Sequence, residues 1–109
     1  MDIKLQIKPL SINKAFQGRR YKTKEYDLWL EEGLRLLKAQ KIEKTRGDVA
    51  LDIKFFMKSD RSDIDNPLKT FLDLIVKASL IDDDRVIQAI HLVKIKSKDE
   101  RIEFEITSI

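Results

Sequence analysis

Along this chain the spacing of apolar side chains switches between two residues and about 3.6, and that alternation confines it to folds that mix strands with helices. Ile3, Leu5 and Ile7 alternate with Lys4, Gln6 and Lys8, the pattern of a half-buried strand, and Pro9 ends it. Residues 10–22 read as an exposed, mobile loop containing Gly18. Thr23 has the chemistry of a helix N-cap. After it Tyr26, Trp29, Leu30, Gly33, Leu34 and Leu37 define one apolar helical face, ending at about Gln40. Val49, Leu51, Ile53, Phe55 and Met57 return to strand spacing.

Asn66 and Pro67 form a helix start, asparagine as the cap and proline at the first helical position. Leu68, Phe71, Leu72, Ile75 and Val76 make the buried stripe, and the helix ends near Ser79. A strand is expected over 86–96, a hairpin turn over 97–100 and a last strand over 101–107, with Ile102, Phe104 and Ile106 on one face. The order is β-α-β-α-β-β: an α+β domain with a mixed sheet and two helices. The strand over 86–96 is apolar on both faces. Ile87, Val93 and Ile95 lie on one side, and Ile90 and Leu92 on the other. This predicts a central strand covered twice, or one that contributes to a dimer interface.

A length of 109 residues fits one domain, 1–109. The absence of cysteine excludes disulfides and thiolate metal sites, and the single histidine, His91, excludes a multi-histidine zinc site within one chain. His91 lies in an apolar run and reads as a packed strand residue. No apolar run approaches the roughly 20 residues of a membrane span, and Met1-Asp2-Ile3-Lys4 lacks the apolar core of a signal peptide. The expectation is a cytoplasmic or nucleoid-associated protein. A net charge of +3 favours a nucleic-acid partner only weakly, so the placement of charge matters more. Lys14, Arg19, Arg20, Lys22 and Lys24 follow one another with no acid between them, whereas acids gather at 60–65 and 82–84.

Asp63 and Asp65 stand two apart, so an extended backbone points both to the same side. Carboxylate oxygens are the preferred hard ligands of Mg²⁺. The triplet Asp82-Asp83-Asp84 follows the second helix, and the return of the chain to the sheet could bring Asp83 or Asp84 to that pair. Three converging carboxylates repel one another unless cations neutralise them. Lys69, four residues after Asp65, falls on the same helical face, where an ammonium can orient a water or offset charge on a phosphate. Plainer readings fit the same residues: Asp65 and Asn66 as a helix cap, the aspartate triplet as a solvated turn, and Lys69 as half of a surface pair with Asp65 or Asp73.

Taken together, Asp63-Ile64-Asp65-Asn66, Lys69 three residues on, Asp73 within the helix, and Asp83-Asp84 before a strand resemble the signature of the RusA family of Holliday-junction resolvases. Pro9-Leu10-Ser11-Ile12-Asn13-Lys14 resembles that family's element after the first strand, so the resemblance spans nearly the whole chain. It departs at Ser79, where the family usually has glycine, at Pro67, where many relatives have leucine, and at Asp82, a third acid beside the usual pair. The resemblance implies a dimeric, Mg²⁺-dependent endonuclease, with Mn²⁺ a plausible substitute, that makes paired symmetric nicks in four-way junction DNA. It implies that Asp63, Asp65 and Asp84 hold the metal and that Lys69 is needed for cleavage. Asn13, Lys14, Arg19, Arg20, Lys22, Lys58 and Arg61 are the expected DNA-backbone contacts. The rival readings are a metal nuclease for other branched DNA and a non-catalytic DNA-binding module.

Overall fold

The computed structural model describes residues 2–11, 16–17, 21–58 and 67–109. The chain runs through β1 (Ile3–Leu5), β2 (Phe16–Gln17), β3 (Tyr21–Lys22), α1 (Lys24–Ala39), β4 (Val49–Met57), α2 (Leu68–Lys77), a 3-10 turn (Asp84–Val86), β5 (Ile87–Lys96) and β6 (Arg101–Ser108). Four strands form one mixed sheet in the order β1-β6-β4-β5. β4 is parallel to β5 and antiparallel to β6, and β6 is antiparallel to β1. Among the described residues, the α+β class, two α-helices and a mixed sheet are as the periodicity predicts.

Three local expectations need correction. First, the segment at 10–22 is not simply an exposed loop. Leu10 is buried in the core, and β2 and β3 pair within the segment, Phe16 opposite Lys22 and Gln17 opposite Tyr21. The chain before it is also pinned, because Trp29 Nε1 donates to the Lys8 carbonyl at 2.7 Å. Secondly, β5 is an edge strand and not a central one. Its apolar residues are only partly covered, and Ile90 is 39% exposed. Thirdly, residues 97–100 make no hairpin. β5 and β6 flank β4 on opposite sides, so the connection steps across the end of β4, and Ser97 N–H bonds the Met57 carbonyl at 2.9 Å. The step is sterically easy: two strand spacings come to about 10 Å, and a few extended residues at about 3.3 Å each reach that far.

β4 is one of the two interior strands, lying between β6 and β5. Val49, Leu51, Ile53, Phe55 and Met57 face the helices and are buried, while Asp52 and Lys54 on the other face are exposed. Phe71 of α2 seats its ring edge-on against Phe55 and Phe104, with centroids 5.9 and 4.9 Å away. Gly33 lets α1 approach α2 closely, because a Cβ there would lie 2.7 Å from a methyl of Leu74. Thr23 caps α1 as expected, its hydroxyl accepting the Tyr26 N–H at 3.1 Å. At α2, Pro67 stands one place earlier than expected, in the N-cap position, where its carbonyl accepts the Phe71 N–H at 3.2 Å. Helix ends shift by a residue readily, and proline suits either place because it has no N–H to satisfy. Asn66 lies outside the described residues. Among the described residues no helix is long and apolar enough to cross a membrane.

Candidate active site

α2 presents Lys69 and Asp73 one turn apart, the first exposed and the second half-buried. Asp73 is held from α1: the Tyr26 hydroxyl donates to its Oδ2 at 2.9 Å. Burial, and then the Asp73 carboxylate, keep the Tyr26 phenol well above its ordinary value, so it remains a donor. The same helix end is tied to the N-terminal segment by Thr70, whose buried hydroxyl lies 2.6 Å from the Leu10 carbonyl. Lys69 and Asp73 therefore project from a backbone fixed on two sides.

The path back from α2 to the sheet begins with a left-handed residue. Ser79 has φ 61°, and the Leu80 and Ser79 N–H groups bond the Ile75 and Val76 carbonyls at 3.0 Å each. These are the two bonds of a Schellman cap, which is most often built on glycine. Serine thus occupies a position that does require positive φ.

The three aspartates that follow have three different environments. Asp82 pairs with Lys44 at 2.7 Å and accepts the Gly47 N–H at 3.1 Å, and those two contacts hold its carboxyl below the ordinary range. Asp82 is a clip on the connection between α1 and β4. Asp83 caps the 3-10 turn through the Arg85 N–H at 3.3 Å and meets the Arg85 guanidinium at 3.4 Å. Asp84 shares a hydrogen bond with Asp83, which holds Asp83 low and raises Asp84. The charge of Asp73 raises Asp84 further and that of Lys69 opposes the rise. The chain following α2 therefore does return to its side, where Asp84, Asp73 and Lys69 feel one another.

Of the residues singled out in the sequence, Lys58, Lys69 and Asp84 are described, and Lys22 belongs to β3 with its side chain outside the described atoms. Asp63, Asp65, Arg61, Asn13, Lys14, Arg19 and Arg20 lie outside the described residues. Among the described residues no group of three or more acidic, histidine or cysteine side chains is gathered closely enough to hold a metal. Asp84 and Asp73 are nonetheless oxygen donors of the kind Mg²⁺ takes, and Asp83 first, with Asp73 adding to it, holds the Asp84 carboxyl above its ordinary value. His91 is 75% exposed, with Nδ1 3.4 Å from Asp52, and is not the packed residue its sequence neighbours suggest. The Tyr26–Asp73 bond and the Asp82 clip could not be read from the sequence, because each joins residues more than 30 positions apart.

No curated relative matches the chain. The family model of endodeoxyribonuclease RusA matches residues 8–107 of the 109, a span that takes in α1, α2, the whole aspartate triplet and, but for Ser108, three of the four strands of the sheet. With almost its full length matched, the chain belongs to the RusA family of endodeoxyribonucleases.

Proposed function

We propose that this protein is a structure-specific endonuclease of recombination and repair that resolves Holliday junctions by paired symmetric nicks. Residues 1–109 act as one domain, as a homodimer, in the cytoplasm or at the nucleoid. A two-fold protein suits a two-fold junction, because each copy addresses one of two opposed strands. Beyond family membership, the observation that carries the reading is the position of Asp84. The 3-10 turn that carries Asp84 packs against α2, beside Lys69 and Asp73, and Asp83 first and then Asp73 raise the Asp84 carboxyl above its ordinary value, the direction expected where carboxylates converge without a cation.

In this reading Asp63, Asp65 and Asp84 hold Mg²⁺, with Mn²⁺ able to replace it. The ion supplies a water acidified for attack and offsets charge on the phosphate. Lys69 sits on the α2 face beside Asp84 and directs its ammonium at the phosphate or the attacking water. Asp73, fixed by Tyr26 and one helical turn from Lys69, is assigned to positioning that ammonium. Asn13, Lys14, Arg19, Arg20, Lys22, Lys58 and Arg61 hold backbone phosphates without reading base sequence.

The test is cleavage of a mobile four-way junction, a matched linear duplex and a flap, with and without Mg²⁺, by the wild type and by Asp84→Asn and Asp65→Asn. Paired nicks confined to the junction, dependent on Mg²⁺ and reduced at least about 100-fold in each variant, are expected if the ion is held as proposed. Full activity in either variant removes that residue from the metal site. Equal cutting of flaps points to a wider class of branched DNA, and binding without cleavage under every condition returns the chain to a DNA-binding module.

A further inference from the structure

At the end of the sheet from which the chain leaves β4, Lys58, Lys96, Ser97 and Lys98 line a concavity of about 470 Å³. Three ammonium groups come from three backbone positions that the fold locks side by side. Lys58 directly follows β4, Lys96 ends β5 opposite Met57, and Lys98 lies in the link that crosses over β4. The Ser97 N–H bond to the Met57 carbonyl fixes that link against the strand.

Like charges brought together repel, and a neighbouring acid is the usual remedy. Two acids of the same link are at hand and neither is used this way. Asp99 accepts from the Gln6 side chain at 2.8 Å and pairs with Arg101 at 3.3 Å. Glu100 points its carboxylate at the Lys58 backbone N–H, 3.4 Å away. Among the described residues no carboxylate forms an ion pair with the ammonium of Lys58, Lys96 or Lys98. The helix ends show the contrast: Lys38 and Lys77 stand in the last turns of α1 and α2, where a cation offsets the helix dipole and needs no other explanation. No helix ends at the Lys58 cluster, so the dipole does not account for it.

We propose that Lys58, Lys96 and Lys98 form a phosphodiester-binding cradle that grips the backbone of a DNA arm. The proposal rests on the nuclease reading for its ligand. It adds Lys96 and Lys98, on β5 and the β5–β6 link, to the surface that meets DNA. The chain continues from Lys58 directly into residues 59–66, which carry Asp63 and Asp65. A backbone held at Lys58 is therefore held next to the segment that supplies two of the proposed metal ligands. The cradle offers charge without any group shaped to read a base edge, so its contribution is independent of sequence and released by salt.

The experiment is a salt titration of four-way junction binding in Ca²⁺, comparing wild type with Lys96→Gln/Lys98→Gln, with Lys58→Gln alone, and with the control Lys38→Gln/Lys77→Gln. Each lost phosphate contact lowers the slope of log affinity against log salt by about 0.9, so the double variant should lie about 2 below wild type and the single variant about 1 below. The control should match wild type. Thermal unfolding on the same samples separates a lost contact from a lost fold, and Lys58→Gln provides an independent reading if the double variant is damaged. Slopes equal to wild type in both cradle variants overturn the cradle while leaving the nuclease reading intact. A wild type that neither binds nor nicks junctions removes both.

Discussion

The two faces of the sheet are made from the same strands and differ in almost everything else. On the helix-covered face, Phe55, Phe71 and Phe104 interlock, with Leu5, Ile53 and Ile102 fully buried around them. On the open face, β4 alternates the exposed Asp52 and Lys54, His91 leans on Asp52, and Arg101 lies over the Phe56 ring at 3.6 Å from its centroid while bonding Glu103. One face is held mainly by area removed from water; the other carries charged side chains that are exposed at Asp52, Lys54 and His91 and largely covered at Arg101 and Glu103, beside the buried Phe56 ring. Sites that need a fixed geometry belong on the first. α2, with Lys69 and Asp73, is anchored there by Phe71, Leu74 and Ile75.

Substitutions on the two faces should therefore differ by most of an order of magnitude in energy. Phe71→Ala removes the ring between two others and is expected to cost about 3–5 kcal/mol in denaturant unfolding, and to release α2 with its site residues. A loss below about 1 kcal/mol would mean that α2 is not anchored as described. Tyr26→Phe keeps the packing and deletes one hydrogen bond to Asp73, at an expected cost of about 1 kcal/mol. It should lower cleavage more than stability if Asp73 positions Lys69; equal proportional losses would make Asp73 structural only. At the small end, Asp52→Asn breaks an exposed pair and should change unfolding by less than about 0.5 kcal/mol, with a larger value marking the open face as covered in solution.

The same contrast explains what the sequence disclosed. Periodicity records which face of an element is buried, so α1, α2, β4 and β6 were legible from residues such as Trp29, Phe71, Phe55 and Phe104. It does not record which strand lies beside which. The apolar residues on both sides of β5 gave it the pattern of a central strand, yet β4 takes that place and β5 the edge. The link at 97–100 has the length of a hairpin, and only the hydrogen bond from Ser97 to Met57 reveals a crossing. In the candidate site, the spacing named Lys69, Asp73 and Asp84, which the fold brings to one side of α2. The division of labour among Asp82, Asp83 and Asp84 depended on Lys44, Gly47 and Arg85, and of these only Arg85 is adjacent in sequence.

The position of β6 also governs how the molecule comes into being. β6 is the antiparallel partner of both β1 and β4, pairing Phe104 with Ile3 on one side and with Ile53 on the other. β1 thus waits for its partner until the last strand is made, and β4 for one of its two. During translation the first strand remains unpaired while almost a hundred residues follow it, and such distant pairings fold slowly because the chain must close a long loop before any contact rewards it. The domain is therefore expected to appear late, with β1 left unpaired for the time taken to make the residues between it and β6.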